Sequence, residues 1–589
     1  MIRLGGTAAG GGVTVGPVHL AAPRLLIEER HIASAHVPGE VGRFDAAVAA
    51  ADAAMSEVAS QGASPSVVGA DVVAAHRAIL QSDEIIDAAH HLIRDRGIGA
   101  EWALRIVVDQ LGVGFAQMDD ERFRERFADV EHVGEALLRR LAGLPPIDLT
   151  QPLRDAVVVG YDLSPVDILR LHRLGVSGFV AERGGPTSHT AIVARTLGST
   201  FVLGVHGLLE AVRAGDIIWV DARAREVVIR PDDATMRSFD ERRAAEAERV
   251  HLLEAMRSAA PVTVDGTAIS IGANIESADE IAAAVAAGAD HIGLVRTELL
   301  YLDRPSLPTE EDQYRDAVEM VHAASGRPVT FRTLDLGGDK LPMGIRIPVG
   351  PNPALGMRGI RFSLERRDVF RTQLRALYRA AAVGPVRILF PLISSVSEMR
   401  QARAICEEVC AGLLAEQVVH DARVPLGAMI ETPSAAWTAD HLAAACDFMS
   451  VGTNDLIQYA FAADRQNEDM AYLYQPMHPA IVRALAQVFA AADAADCPVS
   501  LCGDMAGDPW STWLLVGLGL RTFSMAMPEI AFVKSIVRQT TLAEAEAFAR
   551  AAMELTSAEE VTSLAMARFG GRFPLELAGP WPLALQNRS

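Results

Sequence analysis

The stretch PLGAMIETPSAAWTADHLAAACDFMSVGTND, residues 425–455, holds two short apolar segments with a helix-like segment between them. Strand–helix–strand units of this kind build parallel sheets. Comparable units follow one another from about residue 262 to 570, and their strand candidates are AISIGANI, HIGLVRTE, PVTFRTLD, VRILFPLI, PLGAMIET, DFMSVGTND, PVSLCGD and RTFSMA. About eight such units predict a TIM barrel, which we place at residues 262–575.

Side chains that can bind anions or metal ions, or transfer protons, cluster at the C-terminal ends of these predicted strands. They are Arg296, Arg332, Glu431, Asn454, Asp455 and Cys502. TIM barrels carry their active sites at this end. A purely structural barrel would rarely place such groups on five different strand ends, so the pattern favours a functional site.

Positive charge at the barrel mouth predicts an anionic ligand. The arginines that supply this charge are Arg296, Arg332, Arg358 and Arg465. A guanidinium group forms paired hydrogen bonds with phosphate or carboxylate. One arginine alone could belong to a barrel salt bridge, but four of them beside paired carboxylates favour substrate binding.

Glu431 and Asp455 are hard oxygen ligands of the kind that hold Mg²⁺ together with a substrate phosphate. The metal would neutralise charge during phosphoryl transfer. The alternative is that both carboxylates pair with arginines. Cys502 is a candidate proton donor to an enolate, since a thiol has an ordinary pKa of about 8.5. Its alternative role is that of a small buried apolar residue, which is our interpretation of the other four cysteines.

A second site is predicted in GGPTSHTAIVARTLG, residues 184–198. The paired glycines allow close backbone approach, and Thr187 or Ser188 can cap the helix that follows. His189 then lies in the first turn, where backbone N–H groups and the helix dipole stabilise a phosphoryl group. A lone histidine is more often structural, but this setting favours a nucleophile.

The chain as a whole is predicted to be a multidomain α/β protein. Residues 1–20 suggest a strand pair, residues 34–144 suggest a bundle of about four helices, and residues 151–231 alternate short strands with short helices. The helical part thus interrupts a small α/β domain. The predicted division is 1–30 plus 147–231 for the α/β domain, 31–146 for the inserted helical domain, 232–261 for a linker helix and 262–575 for the barrel.

Composition narrows the class of protein. The chain has 589 residues and a formal net charge of -21, with no basic tract, so we expect no nucleic-acid partner. Its five cysteines include no pair at metal-binding spacing, which is typical of a reducing cytoplasm. The Gly-rich start does not resemble a signal peptide, and no apolar run reaches the ~18 residues of a membrane span.

Four segments together resemble enzyme I, the phosphoenolpyruvate–protein phosphotransferase family of the bacterial sugar phosphotransferase system. They are GGPTSHTAIVAR, RTELLYLDRPSLPTEEDQ, FRTLDLGGDK and GTNDLIQYAFAADRQN. The resemblance covers nearly the whole chain in the same domain order. It implies that His189 attacks the phosphorus of phosphoenolpyruvate, that the arginines, Asn454 and Mg²⁺ hold this substrate, and that Cys502 protonates the enolate to give pyruvate.

The resemblance also implies protein partners. The helical insert would dock the phosphocarrier HPr, whose own histidine takes the phosphoryl group, and Arg126 matches a position that can contact HPr. The family is homodimeric through the barrel, and its phosphohistidine domain swivels between barrel and insert. Ile168 departs from the family, which often has a threonine there that hydrogen-bonds the active histidine.

Four other functions share parts of this pattern. A pyruvate-phosphate dikinase or phosphoenolpyruvate synthase would need a large nucleotide-binding domain, and a nitrogen-regulatory paralogue would carry a sensory domain; we expect neither here. A non-catalytic scaffold would be expected to lack His189 or the mouth residues. A paralogue that serves a different phosphocarrier stays open.

Overall fold

The computed structural model describes most of the chain, in two compact units, Met1–Ala247 and Glu248–Ser589. The described residues are 1–21, 25, 27–60, 67–116, 121–143, 153–184, 189–197, 199–222, 224–301, 306–336, 352–464 and 468–573. The finer four-part division given above stays a prediction.

A mixed eight-stranded sheet forms the centre of the first unit. Its strands are β1 Ile2–Gly5, β2 Thr7–Ala8, β3 Val13–Leu20, β4 Val157–Gly160, β5 Gly178–Ala181, β6 Thr200–Leu203, β7 Ile217–Asp221 and β8 Glu226–Ile229. The order is β1-β8-β7-β3-β4-β5-β6-β2, with β3 to β6 parallel and the other pairs antiparallel. The strands predicted at residues 151–231 are confirmed. The strand pair predicted at residues 1–20 is wrong, because three strands lie there and each pairs with strands from residues 157–229 instead of with one another.

The helical segment interrupts this sheet between β3 and β4, which pair as parallel neighbours with Val18 opposite Val157. Its described helices are α1 Val37–Ser60, α2 Val67–Leu80, α3 Asp83–Arg96, α4 Ala100–Ala116 and α5 Glu121–Leu141. The described residues thus hold five helices where the sequence predicted about four. One boundary has a clear physical cause: Gly97 caps α3 at a φ of 57°, a left-handed conformation that suits glycine.

Short helices cover the sheet of the first unit: α6 Pro165–Arg173, α7 His189–Thr196 and α8 Leu208–Ala211. Ser164 caps α6, because its side chain accepts a hydrogen bond from the backbone N–H of Asp167 and Pro165 opens the first turn. A single helix, α9 Asp233–Arg257, follows the last strand. The linker helix predicted from the Arg/Glu/Ala-rich sequence is confirmed.

Eight parallel strands close into a barrel in the second unit. They are β9 Ser270–Ile275, β10 Ile292–Arg296, β11 Val329–Arg332, β12 Val386–Phe390, β13 Leu426–Ile430, β14 Phe448–Val451, β15 Val499–Leu501 and β16 Thr522–Met525. All eight predicted strands are present. A strand such as β13, LGAMI, is buried along its whole length, as expected where both faces of a sheet are covered.

Helices surround the barrel. They are α10 Asp279–Ala286, α11 Glu310–Ala323, α12 Gly359–Glu365, α13 Arg367–Ala380, α14 Val396–Ala415, α15 Pro433–Trp437, α16 Ala439–Ala443, α17 Thr453–Phe461, α18 Pro479–Ala494, α19 Thr512–Gly517, α20 Ile530–Arg538, α21 Leu542–Glu554 and α22 Ala558–Phe569. Capping boxes fix the starts of α11 and α14. Among the described helices, none is long and apolar enough to cross a membrane. The predicted fold class, a multidomain α/β protein with a C-terminal TIM barrel, is confirmed.

Candidate active site

A cavity of about 700 Å³ opens at the C-terminal ends of the barrel strands. Seven of the side chains predicted from the sequence line it: Arg296, Arg332, Arg358, Glu431, Asn454, Asp455 and Cys502. Arg465, the remaining predicted mouth residue, lies outside the described residues. The parallel strands bring these side chains together because all their C-terminal ends meet at one face of the barrel.

Two largely buried arginines supply positive charge to this cavity. Arg332 lies 3.1 Å from Glu298 and 3.3 Å from Asp335, measured from guanidinium nitrogen to carboxylate oxygen. Arg358 donates two hydrogen bonds to Asp335, of 2.8 and 3.1 Å, and a third of 3.2 Å to Asp455. The carboxylates hold both guanidinium groups in fixed orientations, which is the preorganisation that recognition of an anion requires.

Arg296 occupies the rim of the same cavity. Its Nη1 atom is 3.1 Å from Oε1 of Glu276, and its side chain is 42% exposed. An ion pair this open to water contributes little to stability. Arg296 can therefore exchange Glu276 for an anionic ligand at small cost.

Three buried carboxylates lie together beside the arginines. Oxygen atoms of Asp335, Glu431 and Asp455 are all within 4.8 Å of one another. Burial, followed by the charges of Asp455 and Asp335, raises the pKa of Glu431 to about 8. A divalent cation would offset this repulsion, and an all-oxygen donor set suits a hard cation. The residues present thus fit a metal ion.

Glu431 and Asp455 were predicted from the sequence as metal ligands, but Asp335 was not. The sequence does contain a pattern that could have indicated Asp335, since this residue ends the segment FRTLD only three residues after Arg332. The alternative of pairing with arginines holds for part of the cluster, because Asp455 and Asp335 both accept hydrogen bonds from Arg358. Glu431 instead accepts a hydrogen bond from the backbone N–H of Leu392.

Cys502 is buried against the cavity. Burial raises the pKa of its thiol to about 11, although a hydrogen bond from Ser450 acts in the opposite direction. The ordinary value of about 8.5 that the sequence suggested was wrong for this site, because the surrounding barrel excludes water from the sulfur. The thiol therefore stays protonated near neutral pH, which suits a proton donor.

Asn454 is fixed at the start of α17. Its Oδ1 atom accepts a hydrogen bond of 2.9 Å from the backbone N–H of Asp504. This bond orients the amide, so Nδ2 is the atom that can donate to a ligand in the cavity. An amide donor beside two arginines complements a carboxylate or phosphate oxygen.

The predicted phosphohistidine is the first residue of α7 in the first unit. The side chain of His189 and its predicted caps, Thr187 and Ser188, lie outside the described part of the chain. Thr190 anchors the helix start, because its buried hydroxyl donates a hydrogen bond of 3.0 Å to the carbonyl of Leu163. Ile168 is fully buried in neighbouring α6 and offers no hydrogen-bonding side chain.

Arg126 belongs to α5, the last helix of the insert. Its side chain is not among those that the structure describes. A role in partner binding therefore stays a prediction.

Protein-family models match three successive parts of the chain. They are the N-terminal part of PEP-utilising enzymes at residues 5–126, their mobile domain at 153–225 and their PEP-binding domain at 250–542. PEP is phosphoenolpyruvate. The last match includes every cavity residue named above. The order along the chain is that of a PEP-utilising enzyme.

Curated relatives extend this similarity to nearly the full length. Phosphoenolpyruvate-protein phosphotransferases from Bacillus sp. (strain S) and Geobacillus stearothermophilus are each 38% identical over 96% of this chain and 98% of their own. The enzyme of that name from Staphylococcus carnosus is 36% identical over 95% of this chain and 98% of its own. The chain belongs to the phosphoenolpyruvate–protein phosphotransferase family of transferases. The resemblance seen in the sequence motifs is confirmed.

Proposed function

We propose that this enzyme transfers the phosphoryl group of phosphoenolpyruvate to His189 and then to a histidine of HPr, releasing pyruvate. This reaction is the first general step of sugar uptake by the phosphotransferase system. The observation that carries the proposal is the barrel cavity, where two buried arginines, three buried carboxylates and a protonated thiol line one space. Family membership agrees with it.

Substrate binding falls to the cationic and amide groups of the mouth. Arg332 and Arg358, with Arg296 on the rim, hold the phosphate and carboxylate of phosphoenolpyruvate. Arg465 keeps the same role as a prediction from the sequence. Asn454 donates from Nδ2 to the same ligand. Glu431 and Asp455 would hold Mg²⁺, with Asp335 beside them, and the ion would supply positive charge to offset that of the phosphate.

Transfer breaks the bond between phosphorus and the enol oxygen. The phosphoryl group forms a bond to a ring nitrogen of His189, while the electron pair of the broken bond stays on the enolate. As the enolate collapses to a ketone, its methylene carbon takes the proton from Sγ of Cys502. The resulting thiolate keeps the hydrogen bond from Ser450, 3.3 Å away, and is reprotonated by solvent when pyruvate leaves.

The arrangement of domains completes the proposal. The α/β domain of residues 1–30 plus 147–231 swivels to carry His189 between the barrel and the insert, because transfer needs near-attack geometry at both places. The insert, 31–146, docks HPr, with Arg126 as one contact. The barrel, 262–575, forms a homodimer, and the linker helix of 232–261 joins the two parts. The enzyme works in the cytoplasm, which agrees with its five free cysteines.

The experiment is incubation with phosphoenolpyruvate labelled in its phosphate and Mg²⁺, with and without HPr. We expect acid-labile label on the wild type that passes to HPr, and none on His189→Ala. His206→Ala, which changes an exposed histidine of the same unit, is the matched control and is expected to label normally.

Each outcome of this experiment has a distinct meaning. Label that survives in His189→Ala contradicts the assignment of the nucleophile. Label that forms on the wild type but does not pass to HPr keeps the chemistry and assigns the enzyme to another phosphocarrier. Absence of label on the wild type contradicts the proposal and favours a binding scaffold.

A further inference from the structure

A second group of metal-ligating side chains lies in the first unit, away from the barrel. It consists of His76 on α2 and Asp129 and His132 on α5, and one donor atom of each lies within 4.8 Å of the others. His76 and Asp129 are buried, at 1% and 6% exposure. Nε2 of His76 is 3.2 Å from Oδ1 of Asp129.

Hydrogen bonding accounts for only part of this group: His76 and Asp129 are hydrogen-bonded to each other, whereas His132 is not satisfied in the same way. Both ring nitrogens of His132 are buried, and neither forms a hydrogen bond of good geometry among the described residues. Nε2 has Asp162 as an ion-pair partner, so Nδ1 is the nitrogen that is left unsatisfied. The nearest carboxylate oxygen, Oδ2 of Asp162, is 3.3 Å from Nε2 of His132. Hydrogen bonds between charged groups are shorter, about 2.7–2.9 Å. A buried imidazole without a partner is costly unless another ligand completes it.

The electrostatic surroundings favour a cation. Carboxylates of Asp129, Asp162 and Asp167 all act on His132. Arginines act on two of these carboxylates, Arg183 on Asp162 and Arg170 and Arg139 on Asp167. A cation bound between the two imidazoles would still lie among carboxylates.

The donor set selects the kind of metal. Imidazole nitrogen with carboxylate oxygen suits Zn²⁺, whereas the all-oxygen cluster of the barrel suits Mg²⁺. Ligands about 2.0–2.1 Å from a tetrahedral zinc lie about 3.3–3.4 Å from one another. The 3.2 Å between His76 and Asp129 is already close to this edge length. We propose that His76, Asp129 and His132 bind one Zn²⁺ ion, and that Asp162 orients the His132 ring.

The location gives the ion a structural consequence. Asp162 follows β4, and its Oδ1 atom accepts a hydrogen bond of 2.9 Å from the backbone N–H of Leu163. The carbonyl of Leu163 in turn accepts the hydroxyl of Thr190, next to His189. Zinc on α2 and α5 thus ties the insert to the loop that anchors the start of α7.

The test is a zinc titration of the metal-free full-length chain by equilibrium dialysis in millimolar Mg²⁺, which occupies the barrel cluster. We expect one Zn²⁺ per chain for the wild type and for Glu431→Gln, and none at this affinity for His132→Gln. His91→Gln is the matched control. That histidine is 72% exposed on α3 and pairs with Asp95 at 2.8 Å, so its loss should leave zinc binding unchanged.

A second variant keeps the test decisive if His132→Gln folds poorly. Asp162→Asn should weaken zinc binding about 10- to 100-fold, the usual effect of losing the carboxylate that orients a ligating histidine. Zn²⁺ should also raise the melting temperature of the wild type but not that of His132→Gln. Equal zinc binding by the wild type and both variants, or no zinc on the wild type in Mg²⁺, overturns the proposal.

Discussion

Ser450 and Cys502 lie side by side within the barrel, with the serine hydroxyl 3.3 Å from the thiol sulfur. The hydroxyl donates to sulfur, so it stabilises the thiolate that remains after proton transfer. Both side chains are buried, at 1% and 4% exposure. The hydrogen bond from Ser450 therefore lowers the pKa of the Cys502 thiol, the proposed proton donor.

Replacing Ser450 with alanine should slow pyruvate formation from phosphoenolpyruvate by about tenfold, because a lost hydrogen bond of about 1–1.5 kcal/mol leaves the thiolate less stable. Cys502→Ala should lower the same rate by about 10²- to 10⁴-fold, the range for removal of a general acid. Initial rates of pyruvate release give both numbers.

Phosphorylation of His189 by phosphorylated HPr is the internal control for both variants, since that reaction needs no proton for an enolate. We expect both variants to retain it. Loss of this reverse reaction would show that the substitutions damage the fold, and an unchanged forward rate in Cys502→Ala would exclude the thiol as proton donor.

The raised pKa of Glu431 predicts a pH-dependent stability. Between its ordinary value of 4.5 and about 8, the folded chain holds a proton on Glu431 that the unfolded chain has lost. The free energy of unfolding of the metal-free protein should therefore fall as the pH rises through this window. Melting temperatures measured without metal from pH 5 to 9 test this.

Glu431→Gln should flatten that fall, and Mg²⁺ should raise the wild-type melting temperature more at pH 8.5 than at pH 6. Glu529, whose pKa burial raises to about 7, leaves a fall in stability that is complete at lower pH. A wild-type melting temperature that is constant over the range would contradict the shared burial of these carboxylates.

Arg332→Lys should raise the KM for phosphoenolpyruvate about 10- to 100-fold. A lysine ammonium cannot contact Glu298 and Asp335 and still present two parallel donors to a phosphate, and charge-assisted hydrogen bonds are worth about 1.5–3 kcal/mol. Steady-state kinetics at saturating Mg²⁺ measure the effect. Arg403→Lys, in a solvent-exposed pair with Asp447, should leave KM unchanged. Equal KM values for the two variants would remove Arg332 from the binding site.

Gly503→Ala should destabilise the mouth. A Cβ atom at Gly503 would lie 2.0 Å from Oγ1 and 2.6 Å from the backbone nitrogen of Thr453, so the loop after Cys502 has to move. Overpacking of this kind costs about 1–3 kcal/mol. Chemical denaturation and pyruvate release should both report the change. Gly571→Ala has open space around its Cβ and is the control, expected to match the wild type.

The barrel and most of its mouth could be predicted from the sequence because its strands are short apolar runs, several of which end at or just before a polar residue. Glu431 follows β13 directly, and Asn454 comes three residues after the end of β14, in the first turn of α17. The alternation of strand and helix then brings these ends to one face. The residues at the strand ends could therefore be identified from their positions in the sequence, without knowing how the side chains pack.

Some site residues could not be predicted from their positions in the sequence. They are Asp335, Ser450 and the proposed zinc ligands. Asp335 shares its strand end with Arg332, and sequence alone does not say which of several polar residues turns into the cavity. Ser450 lies within an apolar run, and the register of β14 against β15 is what places it beside Cys502. His76 and Asp129 are 53 residues apart and meet only through the packing of α2 on α5.

The insertion of five helices between two neighbouring strands also governs how the chain is made. β3 cannot pair with β4 until Val157, the partner of Val18, has been synthesised, and β1 cannot pair with β8 until Ile229, the partner of Ile2, has been synthesised. Helices rely on contacts close in sequence and form early, whereas such distant strand pairings form late. During translation the insert can therefore fold as it leaves the ribosome, while the first strands stay unpaired and open to chaperones until the sheet is complete.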